Sequence, residues 1–488
     1  MSAPSAGSLL RRRFLLQVFP AIMLPMFISV SDQTMIAIAL PAIAVDLGEA
    51  DMISWTVVAY LMAAAVATPV YGRLGDLAGC KHMLSIALCI VVAGALVCCT
   101  APNLYVLVLG RVIQGLGGGG LMALSMALVG HIIPPRERGK YQGYLATVHL
   151  CASTLAPLIG GVIIEHFGWR FLVAAAAPLA VFALIMVRRL DVVQVTYGKL
   201  GIDFPGIFLF SSFVVPFIVA MNELRTPQMD NMAAGAGCLA IAGMALLLLL
   251  RFERRALMPL FQLDVLSQPA ISRSAAIAFC HGAAMMAMIT LTPFYLQTEH
   301  DLTPMEIAQY LMTLTVVLAL SSIATGQMVS RTGRVGIFPS LGLTLLVPII
   351  SLFAIFGTRT DAGIWLALWY AAIALCFGTV MNVLQLSVQI AAGAAHLGAA
   401  AAVLQMARTL GAAMGASAVT AVFFAIMASQ GTSAEKAVLE ALANASSGDT
   451  SFVHNQLTTA FQGAFFAIAI FVGIGAALAW RMPLRKLD

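Results

Sequence analysis

The stretch GRLGDLAGCK, residues 72–81, joins two long apolar runs and indicates how the chain is built. Its glycines, Gly72 and Gly79, permit a tight turn of the backbone. Asp76 lies shortly before the next apolar run, where the dipole of a helix N-terminus stabilises a carboxylate, and Lys81 adds a positive charge. The pattern predicts a short charged loop between two helices that cross a membrane.

The composition extends this interpretation to the whole chain. Of its 488 residues, 61% are hydrophobic and only 10% are charged, whereas ordinary soluble domains carry about 25% charged residues. This number of charged residues is too small to cover the surface of a water-soluble protein of this length. We therefore expect the chain to lie in a lipid membrane. The net charge of +5 comes from short scattered clusters, which gives no indication of a nucleic-acid partner. We expect an all-α membrane protein.

Apolar segments separated by short polar breaks predict fourteen transmembrane helices, at about 20 residues per helix. The predicted spans are 14–45, 53–72, 83–101, 104–133, 141–165, 170–187, 203–222, 232–250, 270–294, 306–328, 336–356, 363–391, 398–428 and 459–480. An even number of spans places both termini on one side of the membrane. Most of the 26 Lys and Arg residues fall on that side, so the positive-inside rule predicts that both termini are cytoplasmic.

A second loop, GQMVSRTGRV at 326–335, resembles the first. Aligned without gaps, the two loops share two glycines, and a basic residue follows the second glycine in both. The second loop contributes four candidate conformational residues: Gly326, Arg331, Gly333 and Arg334. Weak internal symmetry of this kind is typical of secondary transporters built from repeated halves. We therefore expect a six-helix bundle at 1–190, two inserted helices at 191–262 and a second six-helix bundle at 263–488.

Several motifs resemble the major facilitator superfamily, and specifically its fourteen-span drug/proton antiporter branch (EmrB/QacA type). The loop is similar to the superfamily signature Gly-x-Leu-Ala-Asp-Arg-x-Gly-Arg-Lys at five positions: Gly72, Leu74, Asp76, Gly79 and Lys81. Three other segments are similar to motifs of the branch: SDQTMIAIALP with Asp32, Thr34 and Pro41, RVIQGLGGGG with Arg111, Gln114 and Gly115, and ASTLAPLIGG with Pro157, Gly160 and Gly161. The resemblance implies a major facilitator fold with its helices arranged as 6 + 2 + 6.

Asp32 is the most informative of these residues because it lies near the middle of the first predicted span. A charge at the centre of a transmembrane helix costs about 2.5–3.5 kcal/mol even on insertion-based scales. Burial favours the neutral acid, whereas a neighbouring arginine favours the carboxylate. We predict that Asp32 is the proton-coupling acid and that Arg111, on a neighbouring helix of the fold implied by the resemblance, is its counter-charge. A structural ion pair without a role in transport is the alternative.

Other polar residues inside predicted spans are candidates for a substrate cavity. Asn382, Gln385 and Gln389 share one face of the twelfth span, where amides either hold helices together or line a polar cavity. The remaining candidates for the cavity are Asp32 itself, Gln114, His281 and Met285. For the histidine and the methionine, ordinary packing is the alternative.

The glycine run GLGGGG at 115–120 follows no predicted strand and lacks the Lys-Ser/Thr pair of a phosphate-binding loop. Helix packing is therefore favoured over nucleotide binding, and an ion gradient is the expected energy source. The eight cysteines lie in or beside apolar runs and form no CxxC pair. They indicate neither disulfides nor a metal site.

The resemblance implies a transporter, not an enzyme. The expected function is proton-coupled export of amphipathic, often cationic, drugs or toxic compounds by alternating access, in the bacterial inner membrane. The expected partners are lipid, protons and the small cargo, without a cofactor or a metal, and the family default is a monomer. The alternatives are an exporter of metabolites or siderophores, a pump that works with a periplasmic adaptor protein, and a membrane receptor that transports nothing.

Overall fold

The computed structural model describes residues 19–47, 55–190, 203–224, 229–256, 259–261, 263–300, 302, 304–430 and 451–483. In this part of the chain the secondary structure is helical and there is no β-strand. The prediction of an all-α protein is confirmed for these residues.

The helices of the first half are α1 (Phe19–Leu47), α2 (Trp55–Ala78), α3 (Cys80–Cys99), α4 (Leu104–Ile132), α5 (Pro135–Phe167), α6 (Trp169–Ala174), α7 (Ala176–Arg188), α8 (Phe204–Glu223) and α9 (Met229–Glu253). Those of the second half are α10 (Leu263–Leu266), α11 (Pro269–His300), α12 (Pro304–Thr332), α13 (Ile337–Ile355), α14 (Ile364–Gly378), α15 (Met381–Ala392), α16 (Leu397–Ser429) and α17 (Ser451–Trp480). Short 3₁₀ turns, Gly357–Arg359 and Ala394–His396, precede α14 and α16.

The ends of several helices follow from local chemistry. The Asn103 side chain caps α4 by accepting the Val106 N–H at 3.0 Å. Pro135 occupies the first position of α5, where the missing N–H has no partner within the helix in any case. Gly168, with a φ of 81°, separates α5 from α6, because a positive φ is a conformation that glycine adopts without strain.

Twelve helical segments of the described residues are long and apolar enough to cross a membrane, so the protein is a multi-pass membrane protein. The predicted number of fourteen is not confirmed. Predicted spans 14–45 and 141–165 coincide with α1 and α5, but neither helix contains an equally long apolar stretch over its described residues. The part of the first predicted span before residue 19 lies outside the described residues.

The predicted span 363–391 is interrupted in the structure. α14 ends at Gly378 and α15 begins at Met381. The break leaves backbone carbonyls at the end of α14 without helical partners, and the Ser322 hydroxyl donates to the Gly378 carbonyl at 2.9 Å. The Thr379 hydroxyl likewise donates to the Cys376 carbonyl at 2.8 Å. Hydroxyl groups therefore make a helix break tolerable within a predicted membrane span.

The described residues belong to two compact units. The first lies within Met1–Val214, Leu246–Leu266 and Gln389–Met406, and the second within Val215–Ala245, Ser267–Val388 and Ala407–Asp488. The first unit packs around fully buried aliphatic side chains such as Leu88 and Leu124. The second contains an aromatic cluster in which the Phe353 and Phe465 rings lie 4.9 Å apart in an edge-to-face arrangement. The division at residues 190 and 262 stays a prediction.

The two loops that predict an internal repeat each contain a glycine with a positive φ. Gly79, between α2 and α3, has a φ of 92°, and Gly333, between α12 and α13, has a φ of 67°. The same alignment places Gly72 in the turn, which is wrong, because α2 continues to Ala78. A Cβ on Gly72 would lie 2.7 Å from the Gly398 carbonyl oxygen. This glycine therefore permits close contact between helices, while Gly79 makes the turn.

Candidate functional site

Two helices of the first unit bring an acidic, a basic and an amide side chain together. α1 carries Asp32, and α4 carries Arg111 and Gln114 one turn apart. Arg111 Nη1 donates to Asp32 Oδ2 at 2.8 Å and to Gln114 Oε1 at 2.8 Å. Gln114 Nε2 donates to Asp32 Oδ1 at 2.7 Å. The three side chains close a ring of hydrogen bonds that engages both carboxylate oxygens. We call this group the Asp32 ring.

α2 supplies further contacts to Arg111. The guanidinium Nε donates to the Thr56 carbonyl at 3.1 Å, and its Cζ lies 4.4 Å from the centre of the Tyr60 ring, within the range of a cation–π interaction. Only 1% of the Arg111 side chain is exposed, against 10% of the Asp32 side chain. Arg111 Nη2 is buried and makes no hydrogen bond. The cation is therefore held by the backbone and an aromatic ring as well as by the carboxylate.

These contacts allow two states of the site. Buried charges are costly unless they are paired and hydrogen-bonded, and the Asp32 carboxylate meets both conditions through Arg111 and Gln114. Arg111 has Thr56 and Tyr60 of α2 as partners in addition to the carboxylate. A movement of α1 away from α4 would therefore not leave the arginine without partners.

The sequence analysis did not identify Thr56, Tyr60 or Cys98 as residues around the site. Thr56 and Tyr60 stand one helical turn apart in an otherwise apolar run, and this spacing is the signal that could have identified them. The Cys98 thiol lies 3.8 Å from Gln114 Oε1, where it is a weak donor. For Cys98 we find no signal in the sequence, because most of the cysteines lie in similar apolar surroundings.

Asp76 also makes buried contacts within the first unit. Its Oδ1 accepts the Gly398 N–H at 2.6 Å and its Oδ2 accepts the Ala399 N–H at 2.8 Å. The side chain is only 3% exposed. It therefore caps the N-terminus of α16, where a carboxylate is favoured by the unpaired N–H groups and by the helix dipole. The sequence predicts that the Asp76 carboxylate lies in the loop and interacts with the dipole at the N-terminus of α3. This prediction is wrong, because Asp76 lies within the last turn of α2.

The remaining residues of the two repeat loops have different surroundings. Lys81 Nζ donates to the Leu190 carbonyl at 2.6 Å, just after the end of α7. Gly326 is buried within α12, whereas Arg331 and Arg334 are exposed at and after its end. Lys81, which has no match in the ungapped alignment, and Arg334, which stands opposite Cys80, therefore have different surroundings.

The predicted motif of the fifth span lies on α5. A Cβ on Gly160 would lie 3.5 Å from Met35 of α1 and from Leu172 of α6, which is ordinary contact. Beside Gly161 there is open space within 4 Å. Pro157 is part of α5, but its side chain lies outside what the structure describes. The small residue at 160 therefore lies at helix contacts, whereas no contact requires a glycine at 161.

The predicted amide stripe on α15 makes contacts with backbone carbonyls. Gln389 is 1% exposed, and its Nε2 donates to the Met126 carbonyl at 2.9 Å. Asn382 Nδ2 donates to the Ser322 carbonyl at 3.4 Å. Gln385 is 5% exposed, and its Nε2 makes no hydrogen bond. Two of the three amides therefore hold helices together, whereas Gln385 retains a free donor.

His281 lies within the second unit and is buried. It is 3% exposed, its Nε2 is 3.2 Å from the Phe377 carbonyl, and its ring meets the Phe377 ring edge-on at 5.3 Å. Met285, one turn further along α11, is half-buried. These contacts favour the packing alternative for the histidine.

The glycine run of α4 lies against α2 and α3. A Cβ on Gly115 would lie 2.5 Å from the Tyr60 carbonyl oxygen, and one on Gly117 would lie 2.6 Å from the Ala87 carbonyl oxygen. Real Cβ atoms do not approach backbone oxygens so closely. The run therefore lets three helices approach one another, which is the packing role that the sequence favours.

The helical fold and its buried ion pair define a polytopic membrane protein of the transporter type. The family model described as Major Facilitator Superfamily matches residues 22–416, a range that contains the Asp32 ring, the loop at 72–81 and its counterpart at 326–335. The chain belongs to the major facilitator superfamily, a family of transporters.

Curated relatives of this chain are named as transporters. It is 26% identical over 395 residues to the multidrug transporter protein MdtP of Bacillus subtilis (strain 168), which covers 81% of this chain and 72% of that protein. It is 29% identical over 423 residues to the MFS-type efflux pump MMF1 of Pseudozyma antarctica (strain T-34), with coverage of 83% and 76%. An uncharacterized MFS-type transporter of Mycobacterium tuberculosis (strain ATCC 25618 / H37Rv) is 27% identical over 406 residues. The chain spans 59% of the length of that mycobacterial relative.

Solved structures share the fold at low identity. The proton:xylose symporter XylE, bound to 6-bromo-6-deoxy-D-glucose, superposes with a TM-score of 0.62 at 12% identity and 98% coverage of both chains. The human organic anion transporter MFSD10 superposes with a TM-score of 0.61 at 14% identity, covering 96% of this chain and 99% of that one. These similarities establish the fold alone.

Proposed function

We propose that this protein is a proton-coupled exporter that exchanges protons for amphipathic, predominantly cationic, drugs or toxic compounds by alternating access. The observation that carries the proposal is the Asp32 ring, a buried carboxylate whose counter-charge, Arg111, has further partners on α2. Intramembrane acids with such surroundings are characteristic of proton pathways. The names of the relatives, a multidrug transporter and an efflux pump, support export as the direction.

In the proposed cycle, Asp32 alternates between two protonation states. As a carboxylate it accepts hydrogen bonds from Arg111 and Gln114 and attracts cationic cargo. As a neutral acid it attracts the guanidinium less strongly. The contact between α1 and α4 is then weaker, and α1 can move relative to α4. A conformational change then only needs to break the contacts between these two helices, since Arg111 retains its contacts with α2.

The loop at 72–81 takes a conformational role in this proposal. The Asp76 carboxylate binds two N–H groups at the start of α16, and these bonds stabilise whichever conformation contains them. Loss of the contact accompanies the change to the other state. We assign the same kind of role to the loop at 326–335 because its turn glycine, Gly333, also has a positive φ.

The proposal includes fourteen membrane crossings, with both termini in the cytoplasm of a bacterial cell and two six-helix bundles at 1–190 and 263–488. α1 and α5 contain 29 and 33 residues. At about 1.5 Å per residue, both exceed a hydrocarbon core of about 30 Å. Their length therefore supports two crossings in addition to the twelve segments identified among the described residues.

The direct test is transport by the purified protein in liposomes with an imposed pH gradient and a panel of cationic dyes, antiseptics and antibiotics. We expect the parent to move at least one of these compounds against its gradient and Asp32→Asn to lose this proton-driven transport. The asparagine keeps the shape of the side chain and cannot exchange a proton.

The matched control is Asp361→Asn, since Asp361 is an exposed acid before α14. We expect this variant to transport like the parent. Full proton-driven transport by the Asp32→Asn variant would overturn the proposal. Transport of the panel by the parent without any dependence on the pH gradient would refute proton coupling while leaving export intact.

A further inference from the structure

α8 and α9 bring together two acidic residues that the proposed cycle does not use. Asp203 immediately precedes α8, and its Oδ1 accepts the Gly206 N–H at 2.9 Å. Glu253 is the last residue of α9, and its Oε2 accepts the Phe261 N–H at 3.3 Å. Each carboxyl group therefore has one oxygen bound by the backbone and a second oxygen still to be satisfied.

The second oxygens, Asp203 Oδ2 and Glu253 Oε1, are both buried and make no hydrogen bond. They face the same small space. A Cβ added to Gly206 would meet Asp203 Oδ2 and, at 3.1 Å, Glu253 Oε1. The Glu253 side chain is only 4% exposed, so water does not reach it freely.

Two ionised carboxylates are unfavourable in this position. Like charges at close range favour the protonated form of one of them, and a buried charged oxygen without a donor is penalised further. One proton resolves both problems, because a protonated carboxyl group has an O–H donor and an ionised one has only acceptors. If either carboxyl group carried the proton, the unpartnered oxygen of the other would be a nearby acceptor.

We propose that Asp203 and Glu253 form a proton-binding carboxyl pair, in which one proton is shared between Asp203 Oδ2 and Glu253 Oε1 at neutral pH. The proton comes from water and returns to water, so no other reactant is needed. This site is separate from Asp32, and its existence does not depend on transport.

The charged surroundings connect the pair to the α16 cap. Arg73 of α2 interacts electrostatically with both Glu253 and Asp76. When the pair holds its proton, Asp76 is the main acidic partner of Arg73. When the proton leaves, the pair carries an additional negative charge, which competes with Asp76 for Arg73. The other cations on and just after α9 are exposed: Arg251, Arg254 and Arg255. Proton occupancy between α8 and α9 is thereby linked to the carboxylate that caps α16.

The test is thermal unfolding of the purified full-length protein in lipid nanodiscs between about pH 5 and about pH 9, a range that begins above the ordinary titration range of carboxyl groups. The folded pair binds its proton more tightly than the unfolded chain does. Its contribution to stability is therefore present at low pH and is lost as the pH rises through release of the proton. We expect the Tm of the parent to fall with pH by roughly 2–4 °C more than that of Glu253→Gln.

Asp203→Asn should remove the same pH-dependent component, whereas Glu165→Gln, which alters an exposed acid of α5, should leave it in place. Infrared spectroscopy supplies a second readout: a carbonyl band of a protonated carboxyl group in the parent at neutral pH, lost in both pair variants. If the variants do not fold, absence of this band in the parent overturns the proposal by itself.

Two other outcomes also overturn it. A loss of stability by Glu253→Gln that is larger at high pH than at low pH means that Glu253 is ionised and paired with Arg73. A rise in the Tm of the parent on addition of Na⁺ near pH 8, absent from both pair variants, identifies a metal-cation site in place of a proton site.

Discussion

Arg111 combines three kinds of interaction at a single buried position. It pairs with the Asp32 carboxylate, donates to the Thr56 carbonyl and lies over the Tyr60 ring. Pairing alone does not make a buried ion pair strongly stabilising, because desolvation of both charges offsets much of the attraction. What the residue provides is a fixed cation beside Asp32, which the proposed cycle uses as the counter-charge of the coupling acid.

Replacement of this cation should be strongly destabilising. We expect Arg111→Gln to lower the free energy of unfolding by about 3–5 kcal/mol, because it leaves the Asp32 carboxylate buried without a counter-charge. Thermal or denaturant unfolding in detergent measures the change. The double variant Asp32→Asn/Arg111→Gln should recover most of the stability but no proton-driven transport. Equal stability of the single and double variants would contradict the ion pair.

At the scale of the elements, α4 owes its position to its glycines. Ordinary membrane helices approach one another at distances set by their side chains, whereas small residues let backbones come close. The Gly118 and Gly120 positions face the aromatic rings of Tyr60 and Tyr71, so the same run accommodates large side chains of α2. Close packing of α2 against α4 in turn brings Tyr60 within reach of Arg111.

A methyl group on this surface should be poorly tolerated. A Cβ on Gly119 would collide with the Ala64 carbonyl oxygen and lie 2.9 Å from Ala64 Cα, atoms of the backbone that cannot rotate away. We expect Gly119→Ala to lower the free energy of unfolding by about 1–3 kcal/mol. In the matched control, Gly161→Ala, the Cβ enters open space, and a gain of up to about 1 kcal/mol is expected from helix propensity.

The start of α16 offers a test of the capping carboxylate. Asp76→Ala removes the acceptors of the Gly398 and Ala399 N–H groups, a loss comparable to that of a helix N-cap, about 0.5–2 kcal/mol. Hydrogen exchange of these two amides should become faster, while exchange in α3 stays unchanged. The control is Asp361→Ala, an exposed acid. Unchanged protection at the start of α16 would show that the contact is not maintained in the membrane.

At the scale of the whole molecule, the number of crossings decides which loops face the cytoplasm. α1 and α5 are helical over their described residues, yet neither is among the twelve segments that are long and apolar enough to cross. In α1 the apolar stretches Phe19–Asp32 and Ile38–Leu47 are separated by side chains outside the described residues. α5 begins with charged residues, and polar groups of this kind do not prevent a helix from crossing within a helical bundle.

Reporter fusions distinguish fourteen crossings from twelve. With fourteen, a fusion after Ile133, between α4 and α5, should be fluorescent with a cytoplasmic reporter, while one after Gly168, at the other end of α5, should be active with alkaline phosphatase. If α5 does not cross, the two fusions report the same side of the membrane. The excess of Lys and Arg on the predicted cytoplasmic side favours the first result.

The sequence by itself was sufficient to determine the membrane environment and the positions of most helices, and the resemblance implied that Asp32 and Arg111 lie on neighbouring helices. Hydropathy depends on each segment and its solvent alone, and the motifs that carry the resemblance are short and local. Gly79 and Gly333 could likewise be recognised as turn residues, because a positive φ is a property of one residue and its neighbours.

Only the tertiary structure decided which distant residues meet. It placed Tyr60 against Arg111, brought Asp76 to the start of α16 and set Asp203 beside Glu253. In helices that are apolar on nearly every face, periodicity does not indicate which face meets which neighbour. Contacts between residues hundreds of positions apart depend on close packing and on the need to satisfy each buried polar group, conditions that exist only once the helices are assembled.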